Sequence, residues 1–138
     1  MLTTLQRIRL YALLIAVMVI FVGILFNVQA RSKLRDIRLV SQARSLSYAL
    51  ESYYTDYLRY PAGNLNLKSD TVLTENGFAD GSHPYFRGIF KSFYAVTYQG
   101  TEEGYVIRFR LSNTWPSEGL HGVHCTVRTD YTVSCGRS

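Results

Sequence analysis

The sequence predicts an α+β protein: one long N-terminal helix, transmembrane and then amphipathic, packed on a four-stranded antiparallel sheet. Three observations predict it. No proline precedes Pro61, and Gly23 is the only glycine before Gly63, so one helix can run unbroken over most of the first sixty residues. The later chain carries period-two alternation, with Tyr105, Ile107, Phe109 and Leu111 interleaved with Val106, Arg108 and Arg110. Two cysteines, Cys125 and Cys135, flank a β-branched segment with a turn at its centre.

The chain has 138 residues, room for an anchor and one small head. Four stretches divide it: 1–30, the transmembrane half of the helix; 31–60, its amphipathic half; 61–92, a connecting region; and 93–138, the sheet. Residues 10–28 carry no charge and are mostly Leu, Ile, Val, Phe, Ala and Met. At about 1.5 Å each they approach the ~30 Å hydrocarbon thickness of a bilayer. A cleavable signal peptide is the rival, since Val28-Gln29-Ala30 has the small-x-Ala form and Arg7 and Arg9 supply a basic start. The run exceeds a normal signal core and continues straight into helix, which favours a retained single-pass anchor.

After the apolar run, Arg31, Lys33, Arg35, Arg38 and Arg44 crowd together with Asp36 the one acid among them, within a net charge of +5. Such a juxtamembrane stripe suits anionic headgroups or acids on a neighbouring copy, and nucleic acid is the unlikely partner. Apolar residues then recur every three or four positions at Leu34, Ile37, Val40, Ala43, Leu46, Leu50, Tyr53 and Tyr57. They form a stripe for the sheet to cover. Pro61 stops the helix, because the residue before a proline is driven out of the α region.

Residues 61–91 read as a connection rich in turn formers, with one short element near Phe86 and Phe90. The run from Phe93 to Gln99 is a strand, Gly100 to Gly104 a turn, and the alternating segment from Tyr105 a second strand. A three-residue turn at Thr129-Asp130-Tyr131 makes two further strands and sets Cys125 opposite Cys135, close enough to bridge. A bridge implies an oxidising compartment outside the cytoplasm. The positive-inside rule, read on the basic flank, places the head in the cytoplasm instead; the paired cysteines carry more weight here.

Catalysis is not expected. His121-Gly122-Val123-His124-Cys125 offers three soft ligands where zinc needs four, and a bridged Cys125 offers none. Glu75, Asn76, Asp80 and Ser82 lie in a glycine-containing loop without calcium-loop spacing. No cofactor, metal or triad is predicted.

Several of these segments resemble the type IV pilin and type II secretion pseudopilin superfamily. They are Gly23-Ile24-Leu25 late in the apolar helix, Ala49-Leu50-Glu51-Ser52-Tyr53-Tyr54-Thr55-Asp56 followed by Arg59-Tyr60-Pro61, and the strand from Gly104 to Leu111. The resemblance covers most of the chain in the family's order. It implies a structural subunit of a type IV pilus or secretion pseudopilus, joined to other pilin-like subunits by helix packing. Ile15, Val19, Val22, Gly23 and Phe26 would make the intramembrane contacts. The N-terminus departs from the family pattern. It has no glycine before the apolar run and no acid before Asp36, so neither the leader-peptidase site nor the early glutamate is expected. The expectation is an unprocessed, membrane-resident relative. The alternative is an anchored module that does not polymerise and binds a ligand on the Tyr- and Arg-rich sheet face.

Overall fold

A computed structural model describes residues 4–88, 90 and 95–136, with side chains at 4, 5, 7 and 8 excepted. Its elements are helix α1 (Thr4–Tyr57) and strands β1 (Gly63–Leu67), β2 (Val72–Leu73), β3 (Phe86–Arg87), β4 (Val96–Gly100), β5 (Tyr105–Arg110), β6 (His124–Arg128) and β7 (Val133–Gly136). A 3₁₀ turn, Pro116–Glu118, lies between β5 and β6. The chain divides into two compact units, residues 1–34 and 35–138.

In the first unit α1 exposes every described side chain from Arg9 to Arg31. This is the one helix among the described residues long and apolar enough to cross a membrane, with a mean hydropathy of 2.6 over its most apolar window. A helix that is apolar all round has no use for water on any side.

The second unit is the head. Its main sheet is antiparallel in the order β1-β4-β5-β6-β7, and β2 and β3 form a separate two-stranded ladder. The sheet therefore has five strands rather than the four expected. The additional strand, β1, lies within the segment read as a connection, and runs antiparallel to β4 with Leu65 opposite Tyr98 and Leu67 opposite Val96. Asparagine at alternate positions, a poor strand former, masks the period-two signal of Leu65 and Leu67. The first positions of the strand expected from Phe93 lie outside the described residues; β4 begins at Val96.

Leu39, Ala43, Leu46 and Leu50 of α1 share one core with Tyr98, Ile107, Phe109 and Val127 of the sheet. Each fully buried leucine contributes roughly 1.5–3 kcal/mol of transfer free energy. The helix ends with Leu58 in the left-handed region (φ 54°), where its N–H still reaches Tyr54 O at 2.7 Å. Pro61 follows three residues on and prevents resumption.

Candidate functional site

The face expected to meet other subunits lies in the N-terminal unit. Ile15, Val19, Val22 and Phe26 are exposed, Phe26 the most at 71 %. A methyl group built on Gly23 would meet nothing within 4 Å, so this position is open for close approach of another backbone. Near the end of the apolar run, Asn27 Nδ2 donates to Gly23 O at 2.9 Å, so its amide turns back onto the helix.

In the head, Val40, Ala43, Leu46, Leu50 and Tyr53 lie on the buried face of α1, while Ile37 and Tyr57 are exposed. Leu34, expected at the start of that face, falls in the N-terminal unit and is exposed as well. The reason is angular. Successive steps of three residues turn each side chain back by about 60°, so a run from 34 to 46 made only of threes cannot stay on one face. Tyr57 is on the face but at the last turn, where it packs against Tyr53 (4.6 Å between centroids) and Tyr85 (6.4 Å).

Three polar side chains fix that face to the rest of the head. Asp36 is fully buried, and its carboxyl oxygens accept the backbone N–H of Ser112 (3.0 and 3.1 Å), that of Asn113 (3.2 Å) and Trp115 Nε1–H (2.8 Å). Three turns further along, Ser47 Oγ and Tyr105 Oη share a hydrogen bond of 2.6 Å. One turn beyond, Glu51 accepts from Tyr60 Oη at 2.9 and 3.0 Å and from Tyr105 Oη at 3.2 Å. Burial, and next the Glu51 carboxyl, push the Tyr60 hydroxyl well above the ordinary tyrosine range. Burial does the same to Tyr105 and Tyr98. Sequence reading passed over these anchors. Their phase was available, because 36, 47 and 51 fall on one side of a helix, as do the core leucines.

The tyrosines use their rings on one another. Tyr60 stacks on Tyr54 (4.7 Å) and meets Tyr105 edge-on (5.0 Å), and Tyr48 stacks on Tyr131 (5.1 Å). Tyr98 donates to Pro61 O at 2.6 Å, tying β4 to the segment after the helix.

At the C-terminal end, β6 and β7 pair with Cys125 opposite Cys135, and the two form a disulfide. The turn between them is the three-residue kind: Tyr131 N–H bonds Arg128 O at 3.0 Å, and Tyr131 has φ 59°. Asp130 holds it by accepting from Thr132 N–H (3.2 Å) and Thr132 Oγ1–H (2.6 Å).

The loop containing Glu75 is closed on itself. Glu75 accepts from Ser82 N–H (2.7 Å), Ser82 Oγ–H (2.9 Å) and His83 N–H (2.9 Å). Those backbone bonds lower the pKa of its carboxylate to about 2. Asn76 Nδ2 donates to Asp80 O at 3.0 Å, so the side chains of three of the four polar residues of this loop, Glu75, Asn76 and Ser82, are turned to internal bonds. Among the described residues no group of three or more His, Cys, Asp or Glu is placed to hold a metal, and Cys125 of the histidine-containing segment is in the disulfide.

No family model, curated protein or solved structure matches the chain.

Proposed function

We propose that the chain is a membrane-anchored, non-enzymatic, pilin-like or pseudopilin-like structural subunit of a type IV filament or type II secretion system, acting through helix–helix packing. The observation that carries this reading is α1. Its exposed apolar turns belong to the same continuous helix whose later turns, from Asp36 to Tyr53, are the buried spine of a disulfide-closed head. A helix apolar all round is suited to lipid and to other helices, and a disulfide is suited to a head outside the cytoplasmic membrane. In this reading the chain spans the membrane once, and Ile15, Val19, Val22, Gly23 and Phe26 face other pilin-like subunits.

Shearing cells and probing the released fraction tests the filament. Recovery of the chain with sheared surface material supports it, and a chain found only in membranes removes it. Thiol labelling of intact cells, with and without reductant, tests the placement of the head. Labelling that depends on reductant supports a disulfide-closed head outside, and labelling without reductant removes the disulfide argument for that placement.

One observation favours the second reading, an anchored binding module that does not polymerise. The outer face of the sheet carries exposed Arg108, Arg110 and Arg128.

A further inference from the structure

Alternation along five strands gives the head two different faces. One is the core. On the other, the strand registers fix the order of the cations. Arg110 lies opposite His124, Arg108 opposite Thr126, and Arg128 opposite Val106. These are three successive rows on one face, about 7 Å apart along the strands. Arg108, Arg110, Arg128 and His124 are all exposed. Within the described strands, none of the residues on this face is acidic, and its one aromatic ring is the imidazole of His124.

Beside this line of cations the face changes character. β1 and β4 contribute Asn64 and Asn66 opposite Gln99 and Thr97. With Arg108 they line a shallow trough of roughly 360 Å³. Gln99 Oε1 accepts from Arg108 Nη1 at 2.7 Å, which holds the guanidinium at the edge of that trough. A planar guanidinium matches a carboxylate in two parallel hydrogen bonds, and primary amides both donate to and accept from hydroxyl groups.

We propose that the outer face of the sheet is a docking surface for an acidic polysaccharide, a chain of sugars bearing carboxylates. The arginine rows take the carboxylates, and the amide-lined trough takes the sugar hydroxyls. Two arguments choose this polyanion over single-stranded nucleic acid. Binding of successive unpaired bases relies on several aromatic stacking platforms, and among the described strand residues this face offers a single ring, His124, and no Phe, Tyr or Trp. The amide-lined trough beside the arginines also suits sugar hydroxyls, and the disulfide suits a head outside the cytoplasm. The proposal rests on that outside placement and is independent of whether the chain polymerises.

The test uses the full chain in non-ionic detergent, titrated with an oligogalacturonate at low salt. Dextran oligomers serve as the neutral control and oligo-dT as the phosphodiester control. Oligogalacturonate binding is expected to exceed that of oligo-dT, with none for dextran, and to weaken with added salt. Arg108→Ala combined with Arg110→Ala is expected to weaken it about tenfold, the loss of one or two charge-assisted contacts. Asn64→Ala with Asn66→Ala, which leaves the charge unchanged, is expected to weaken it about threefold, from lost neutral hydrogen bonds. Circular dichroism checks that each variant is folded; Arg128→Gln, at the opposite end of the line, is the substitute for one that is not. Absence of oligogalacturonate binding, arginine variants that bind like the parent, or oligo-dT binding as tightly all overturn the proposal. Amide variants without effect overturn it too, since plain charge attraction then suffices. None of these outcomes bears on recovery in sheared material, so the filament reading stands or falls separately.

Discussion

Replacing Asp36 with alanine removes an acceptor shared by three donors: the N–H groups of Ser112 and Asn113 and the indole N–H of Trp115. An orphaned buried donor costs about 1–3 kcal/mol, and bonds to an acidic acceptor lie at the stronger end. Ser112 and Asn113 are themselves exposed, so water can reach their amides after the change, and each loss belongs near the bottom of that range. Trp115 is half-buried and its loss is larger. The expected destabilisation is roughly 3–4 kcal/mol, a large part of the 5–15 kcal/mol typical of a domain. Asp36→Asn keeps one oxygen but turns an NH₂ toward a donor, and the expected loss is about 2 kcal/mol. Trp115 is the only tryptophan, so its fluorescence during urea unfolding in non-ionic detergent reports on the very segment Asp36 holds. The midpoint is expected to fall with the slope unchanged. A loss below about 1 kcal/mol for Asp36→Ala refutes the view that this residue ties the helix to the segment after β5.

Three other perturbations have defined outcomes. Removing both cysteines as Cys125→Ser with Cys135→Ser frees a short loop of separation 10 and is expected to cost about 2–3 kcal/mol, read by the same urea midpoint. Leu58 and Tyr131 both occupy the left-handed region, which costs a non-glycine residue about 1 kcal/mol. Leu58 is 77 % exposed, so Leu58→Gly is expected to stabilise by that amount, whereas Tyr131→Gly also loses the Tyr48 stack and is expected to come out near zero; thermal melts of the two variants compare them. Glu75 has its pKa lowered from 4.5 to about 2, so its contribution is present above pH 4.5 and is lost as the pH falls toward 2. Protection of the Ser82 and His83 amides from exchange, relative to their intrinsic rates, is expected to fall across that window, and Glu75→Gln to remove that pH dependence of the protection.

The helix, the β5 alternation and the facing cysteines were legible because each rests on a local signal: absence of breakers, period two, and a symmetric hairpin. What escaped was non-local or hidden by composition. β1 alternates Leu65 and Leu67 with asparagines, which looks like loop until β4 is there to pair with it. Apolarity alone put Leu34 and Ile37 on the buried face, whereas helical phase puts Asp36 and Leu39 there. A buried aspartate is affordable only because residues 76–79 positions later in the chain arrive with donors, and no local window contains that information. Spacing sufficed to set Glu75 aside as a calcium ligand, but its actual partners, Ser82 and His83, are set by how the loop folds back and were not legible.

In the proposed reading the apolar turns of α1 pack against other helices within the membrane. A photo-crosslinking residue placed at Val19, and separately at Phe26, in intact membranes tests it most directly. Covalent multimers of this chain, or adducts with a second single-span protein, are expected from both positions. Monomer carrying lipid adducts alone, from both, contradicts it.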